Sequence, residues 1–375
     1  MKVDVSQQNL ARGLSMVSRA VSPRSTLPVL ANVLLATDEG RLRLSATNLE
    51  LGITCWISAK IEVEGSITVP ARTFTDLVGT LPSQNVKLEL IPHNQTLKID
   101  CGTAKTEIKG IDAQEFPPIP VPDLNEGMAL NVADLKEMIA QVAFAASSDE
   151  ARPVLQGVLL GVNENEVTMA ATDGFRISVK KAMLTSPVGK AVTAIIPARA
   201  LAELGKIIDE GDQSLTMIMP SGRGQVIFHT KNAELVSQLI EGNFPDYKAI
   251  IPHSFKTHVT LTTQDMLKSC KQAEIIARDS ENVIRLDIKP NPKGPGTIEV
   301  TSRSEETGNS DIEVDATVEG PELAIAFNVR FLREVLEAIK TPTISFDTNA
   351  NNTPALIKPI GDDSYTHVIM PMHLS

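Results

Sequence analysis

Three short stretches carry residue types that could do chemistry. Thr172-Asp173-Gly174 has the outline of a phosphate or metal loop, His253 and His258 form the closest histidine pair outside the C-terminal tail, and Ser221-Gly222-Arg223-Gly224 is a compact polar run. Each has a plainer reading. Asp-Gly between alternating runs is first a hairpin turn, the Ser-Gly-Arg-Gly run reads as a turn between two strands, and the two histidines sit in an irregular linker where solvated or capping roles outweigh metal binding. The chain has no GxxxxGK[ST], no GxGxxG after a strand, no HExxH and no GxSxG. Without a nucleophile, base and orienter in one constellation, no catalytic activity, cofactor or metal is expected.

Cations recur instead. Arg12, Arg19 and Arg24 lie on or just after a first amphipathic stretch, Lys268 and Lys271 on a later one, and Arg72, Arg199, Lys206, Arg330, Arg333 and Lys340 on a second kind of helix. Any one of them alone reads as a solvated helix face. Arginine at one position of a repeated unit reads differently, because repeats place equivalent side chains on a common surface.

The elements that carry these cations come in copies. Val69-Pro70-Ala71-Arg72 returns as Ile196-Pro197-Ala198-Arg199, Pro28-Val29-Leu30 as Pro153-Val154-Leu155, Ala46-Thr47-Asn48 as Ala171-Thr172-Asp173, and Phe116-Pro117 as Phe244-Pro245. A third, more diverged copy aligns Arg330 with Arg72 and Arg199, and Ile284-Arg285-Leu286 with the earlier strands. It places His367–Met372 where the Phe-Pro phrases close the first two copies. Leu135, Met138, Ile139, Val142, Ala143 and Ala146 form one helical stripe, as do Leu10, Leu14, Val17 and Val21. Pro70 and Pro197 open the second helices, where no backbone N–H is needed. After each second helix two strands pair, Val86–Ile91 with Thr96–Cys101 and Ser214–Met219 with Gln225–Thr230. The expected fold is α+β: three tandem domains, 1–122, 128–252 and 257–375, each with two helices packed on antiparallel sheets. The joins at 117–127 and 251–258 read as linkers.

Composition bounds the function. The 375 residues are 42% hydrophobic and 22% charged, a globular profile. Cys55, Cys101 and Cys270 are too scattered for a disulfide framework or zinc ribbon and read as buried thiols. No signal-peptide run and no bilayer-length apolar span is evident, so a soluble, cytoplasmic protein is expected. The net charge of −11 argues against wrapping a polyanion, and 3% aromatic residues argue against stacking single-stranded bases. An enzyme with a site hidden between domains and a plain repeat scaffold are the competing readings.

The ordered phrases VPAR (69–72), ATDGFR (171–176), IPAR (196–199), GNFPDY (242–247), FNVRFL (327–332) and HVIMPM (367–372) resemble the bacterial DNA polymerase III beta subunit family, the sliding clamps, over the whole chain. That resemblance implies a non-catalytic processivity factor, a head-to-tail homodimer forming a closed ring around duplex DNA with helices lining the hole. Twelve helices at about 9 Å spacing give a ring near 34 Å across at the helix axes, or roughly 24 Å clear after one helix thickness. Such a ring can keep acids outside and turn cations inward. The cations expected to face DNA are Arg24, Arg72, Arg199, Lys206, Lys268, Lys271 and Arg333.

The resemblance also implies a groove that takes a short apolar peptide from the replicative polymerase alpha subunit, the clamp loader, other polymerases, and mismatch-repair or ligation proteins. Its matching positions are Leu155, Thr172, Gly174, Phe175, Arg176, Ile177, Pro245, Ile250, Asn328, Phe331, Val368, Met370, Pro371 and Met372. Phe175 stands where the family often has His, and Glu281 where it often has an apolar residue. Deleting Met370–Ser375 is expected to abolish peptide binding and leave melting nearly intact. For the dimer contact the resemblance implies Thr106 and Ile108 against Ile275 and Ile276.

Overall fold

The computed structural model describes every residue except 23, 24, 121, 185, 186, 189, 190, 210, 374 and 375. Arg24 therefore lies outside the described residues. The first repeat comprises β1 (Lys2–Ser6), α1 (Gln7–Val17), β2 (Asn32–Asp38), β3 (Arg41–Thr47), β4 (Leu51–Ser58), β5 (Lys60–Val63), β6 (Ser66–Pro70), α2 (Ala71–Thr80), β7 (Asn85–Ile91), β8 (Thr96–Cys101) and β9 (Ala104–Lys109). The second comprises β10 (Met128–Asn131), α3 (Val132–Val142), β11 (Gly157–Asn163), β12 (Glu166–Thr172), β13 (Arg176–Met183), β14 (Val192–Pro197), α4 (Ala198–Ile207), β15 (Ser214–Ile218), β16 (Gln225–His229) and β17 (Ala233–Gln238). The third comprises β18 (Thr257–Thr262), α5 (Thr263–Ala277), β19 (Val283–Lys289), β20 (Gly296–Ser304), β21 (Gly308–Glu319), β22 (Leu323–Asn328), α6 (Val329–Ala338), β23 (Thr343–Thr348), β24 (Ala355–Pro359) and β25 (Tyr365–Ile369).

The local causes repeat with the sequence. Ser6 caps α1 by accepting from the Asn9 amide, and Asn328 caps α6 by accepting from the Arg330 amide. Leu10, Leu14 and Val17 bury one face of α1, and the helix stops there, so Val21 lies beyond it. Leu135, Met138, Ile139 and Val142 bury the same stripe of α3. All three cysteines are buried and free, and burial pushes the Cys55 and Cys270 thiols up to about 12.

Three features differ from the sequence reading. Each second helix is followed by three strands, the third being β9, β17 or β25. Two of those strands, β17 and β25, pair outward across the repeat joins, a relation that hydrophobic patterning does not reveal, while β9 ends its sheet. The segment from His367 takes the place of β17, not of a Phe-Pro phrase: β25 pairs β24 and β13 as β17 pairs β16 and β4. His258 is no linker residue either. It lies in β18, its ring bonded to Asp347.

The chain separates into two compact units, Met1–Ala133 with Glu203–Leu239 and Asp134–Ala202 with Ile240–Ser375. The first holds a five-stranded sheet, β5-β1-β7-β8-β9, and an eight-stranded sheet, β10-β15-β16-β17-β4-β3-β2-β6. The second holds one twelve-stranded sheet, β14-β11-β12-β13-β25-β24-β23-β18-β21-β20-β19-β22. The second repeat is thus shared, because the β17–β4 and β13–β25 ladders run straight through its joins to the repeats on either side.

Candidate functional site

The Thr172-Asp173-Gly174 stretch is the tip of the β12–β13 hairpin, with Thr172 paired to Ile177. Its backbone is held by its own side chains: Thr172 Oγ1 donates to the Arg176 carbonyl (2.6 Å) and accepts from the Gly174 amide (3.1 Å), and Asp173 Oδ1 accepts from the amides of Phe175 and Arg176 (2.9 and 3.1 Å). Gly174 takes φ +93°, which glycine adopts at no steric cost. The turn spends its polar groups on itself and leaves the Phe175 side chain 58% exposed.

The first repeat builds the same turn. Thr47, Asn48, Leu49, Glu50 and Leu51 make the matching bonds, with Thr47 Oγ1 to the Leu51 carbonyl and Asn48 Oδ1 accepting from Glu50 and Leu51. The strand beside it is anchored the same way, Gln238 N–H to the Glu50 carbonyl (2.8 Å), as Met370 N–H is to the Phe175 carbonyl (2.8 Å). The scaffold is common, whereas the side chains that replace Glu50 and Gln238 in the second joint, Phe175 and Met370, are apolar and exposed.

Around that tip the second unit gathers most of the expected groove. Ile177 and Val368 are buried in a small cluster with Ala170, Val179, Tyr247 and Leu356, and so form floor, not surface. Tyr247 seats the loop that carries Pro245 and Ile250, the latter 45% exposed. Met370 is 38% exposed, and beyond it Met372 N–H donates to the Ala326 carbonyl on β22 (2.8 Å), so Met370-Pro371-Met372 runs from the hairpin to the strand that leads into Asn328 and α6. Deleting this segment removes both anchoring hydrogen bonds, each worth about 1 kcal/mol, so melting is not expected to stay intact after truncation. Leu155 lies on the turn after Arg152, whose guanidinium donates to the Asp173 carbonyl (3.1 Å).

Arg176 is turned inward. Its side chain is 7% exposed; Nε donates to Asp173 Oδ2 (3.0 Å), one terminal nitrogen pairs with Glu334 and the other donates to the Phe144 carbonyl (2.8 Å). The guanidinium carbon lies 4.3 Å from the Phe331 ring centroid and 5.2 Å from that of Phe144. Phe144 and Glu334 are partners of Arg176 that the sequence did not reveal, and Asp173, legible as a turn residue, is the third. Below them Ser178 Oγ hydrogen-bonds His367 Nδ1 (2.7 Å) and lies 3.3 Å from the Tyr365 hydroxyl. This pairing has the spacing of a nucleophile and base, yet all three residues are fully buried, and burial together with the Arg176 charge lowers the His367 pKa to about 3. A neutral, inaccessible imidazole is a structural group.

The expected DNA cations divide by partner. Arg72 is 95% exposed and only 3.9 Å from Asp76, and Arg199 and Lys268 are exposed with no ion pair among the described residues. Lys206 pairs with Glu203 (3.0 Å), which also takes Arg19, and Lys271 pairs with Glu337 (3.0 Å). Burial pushes the Glu203 carboxyl up, but the bonds from Lys206 and Arg19 outweigh it and lower its pKa. Arg333 is turned onto the buried Glu274 (3.2 Å). At the remaining positions, Ile108 is buried in edge strand β9 beside half-buried Thr106, and Ile275 stands 61% exposed on α5 beside half-buried Ile276. Glu281 is exposed in a left-handed turn after α5, φ +57°.

The fold and site define a triplicated two-helix, antiparallel-sheet protein with exposed apolar side chains, Phe175 and Met370, on hydrogen-bonded neighbouring backbone positions. The chain belongs to the DNA polymerase III beta subunit family, the sliding clamps: the family's N-terminal, central and C-terminal domain models match residues 1–120, 129–246 and 248–373. It is 34% identical to the beta sliding clamp of Synechococcus elongatus, over 100% of both chains, and 32% identical to that of Staphylococcus aureus, over 99% of both. Among solved structures it is similar to the DNA polymerase sliding clamp of Bacillus subtilis (TM-score 0.92, 29% identity). It is also similar to a Pseudomonas aeruginosa sliding clamp bound to griselimycin (TM-score 0.91, 26% identity), each over 100% of both chains.

Proposed function

We propose that two copies of this chain join head to tail into a closed ring of six clamp domains, 1–122, 128–252 and 257–375 from each, that encircles duplex DNA in the cytoplasm. The ring is non-catalytic. It tethers the replicative polymerase, the clamp loader and other DNA-processing proteins through short apolar peptides bound at Phe175, Ile250, Phe331 and Met370.

The observation that carries the ring is the repeated joint. Twice within the chain the last strand of one repeat pairs with the third sheet strand of the repeat before it, Glu234 opposite Thr54 and Thr366 opposite Val179. The corresponding strands of a third joint both have unpaired edges among the described residues: β9 ends its sheet, and β21 is covered by β18 only along Ala316–Glu319. Open edges invite another chain. Aligning the ladders step by step sets Lys105 opposite Asp311 and Thr106 opposite Ser310 of a second copy, a register with opposite charges on facing residues. Two identical heterologous contacts close such a ring.

Topology rather than affinity then holds the ring on DNA, which suits a chain of net charge −11. Arg72, Arg199 and Lys268, the least paired of the expected DNA cations among the described residues, supply diffuse attraction to phosphates. Reversing Arg72 and Arg199 to Glu is expected to weaken loading and processivity and to flatten the salt dependence of DNA attraction by about one slope unit per lost phosphate contact, with an unchanged melting temperature. An unchanged salt slope in a titration from low to physiological salt places these residues away from DNA.

A further inference from the structure

We infer that Arg176 is a positioning residue of the peptide groove rather than a contact to the peptide, the link in a stacked column that fixes the ring wall Phe331 against the hairpin wall. The inference rests on the reading of the groove as a peptide site. The column begins on β25, where the His367 ring stacks on Phe144 (centroids 5.8 Å apart, planes at 23°). It continues through the Arg176 guanidinium, which faces both Phe144 and Phe331. A desolvated guanidinium against an aromatic ring is a favourable pair, and the planar fork of arginine lets it stack and hydrogen-bond at once.

The donor inventory agrees. Of five N–H groups, three donate to Asp173, Glu334 and the Phe144 carbonyl, one from each guanidinium nitrogen and all within the protein. Asp173 belongs to the hairpin tip that presents Phe175, and Glu334 lies one turn along α6 from Phe331. One side chain thereby bonds the element bearing each wall. The repeats give an internal comparison: Leu51 occupies the Arg176 position of the first joint, and the helix position of Phe331 holds Thr73 in α2 and Ala200 in α4. At this pair of aligned positions, guanidinium and ring occur together at the joint where Phe175 and Met370 are apolar and exposed.

A labelled peptide carrying Gln followed by Leu and Phe, followed by anisotropy and by dissociation rate, tests this on the full dimeric protein. Arg176→Lys keeps the charge and loses the fork; it is expected to weaken the peptide about tenfold, mainly through faster dissociation. Glu334→Gln, whose carboxylate faces Arg176, is expected to weaken it several-fold as well, and the double variant to be no worse than Arg176→Lys alone, because both changes break one unit. Val300→Ala, in the third repeat's main core, lowers the melting temperature and leaves peptide affinity unchanged, which separates positioning from general destabilisation. If Arg176→Lys weakens binding while Glu334→Gln binds as wild type, or if the two losses add, Arg176 touches the peptide and the inference is overturned. If Met370→Ser has no effect either, the groove reading itself has failed.

Discussion

Met370→Ser combined with Phe331→Ala is expected to weaken binding of a peptide carrying Gln followed by Leu and Phe by about a hundredfold. Each change removes an apolar side chain that is only partly covered, Met370 at 38% exposure and Phe331 half-buried against Arg176, so each still has surface to lose to a ligand. Completing the burial of such a side chain is worth about 1.4 kcal/mol, somewhat below the range for full burial, or a factor of ten apiece. Methionine and an aromatic ring also suit a surface that accepts several partners, since one adapts its shape and the other supplies rigid area. The backbone stays anchored in both variants, because the Met370 and Met372 amides bond the Phe175 and Ala326 carbonyls whatever side chain they carry. Circular dichroism should therefore show a folded protein at the assay temperature beside the lost anisotropy change, with a lower melting temperature from the packing that Phe331 gives up. Retained affinity in the folded double variant moves the partner site away from this cleft.

Thr106→Cys with Ser310→Cys is expected to convert the protein to a covalent dimer on mild oxidation. In the two internal joints the amide bonds that bracket the ladders, Gln238 to Glu50 and Met370 to Phe175, fix which facing pairs are hydrogen-bonded. Carrying that alternation to the open joint makes Thr106 and Ser310 a non-hydrogen-bonded pair, whose Cα atoms lie about 4.5 Å apart, within disulfide reach. The native thiols give little background, being buried. Adding Ile275→Ala and Ile276→Ala, which strips the exposed apolar end of α5, should reduce the cross-link by yielding folded monomers. A non-reducing gel with only monomer from the double-cysteine protein excludes this register.

Much of the architecture was legible because it is periodic. Three copies of Val/Ile-Pro-Ala-Arg or its equivalent, and the apolar stripes of α1 and α3, report local geometry that each residue's neighbours decide. The turn at Thr172-Asp173-Gly174 was legible for the same reason, since its bonds span two to four residues. Partners far away in the chain were not. Arg176 reads as a surface groove cation until Glu334, 158 positions on, is seen to neutralise it, and Arg333 reads as a free helix cation until the buried Glu274 is seen beside it. The third strand of each trio hid for a related reason: β9 reads Ala-Lys-Thr-Glu-Ile-Lys, an edge pattern with one buried residue, and the outer partners of β17 and β25 lie in another repeat. His258 reads as a linker residue because the irregular stretch after Pro252 runs directly into β18 without a turn signal.

The central claim, retention by encirclement, is tested most directly by topology. The protein is loaded on a nicked circular duplex by its clamp loader, freed of loader, and passed through a sizing column in physiological salt before and after one restriction cut. Encirclement predicts that protein elutes with the circle and is lost from the cut linear DNA, from which a ring slides off the ends. Equal retention on circular and linear DNA would contradict it, because contact energy and not the closed ring would then be holding the protein in place.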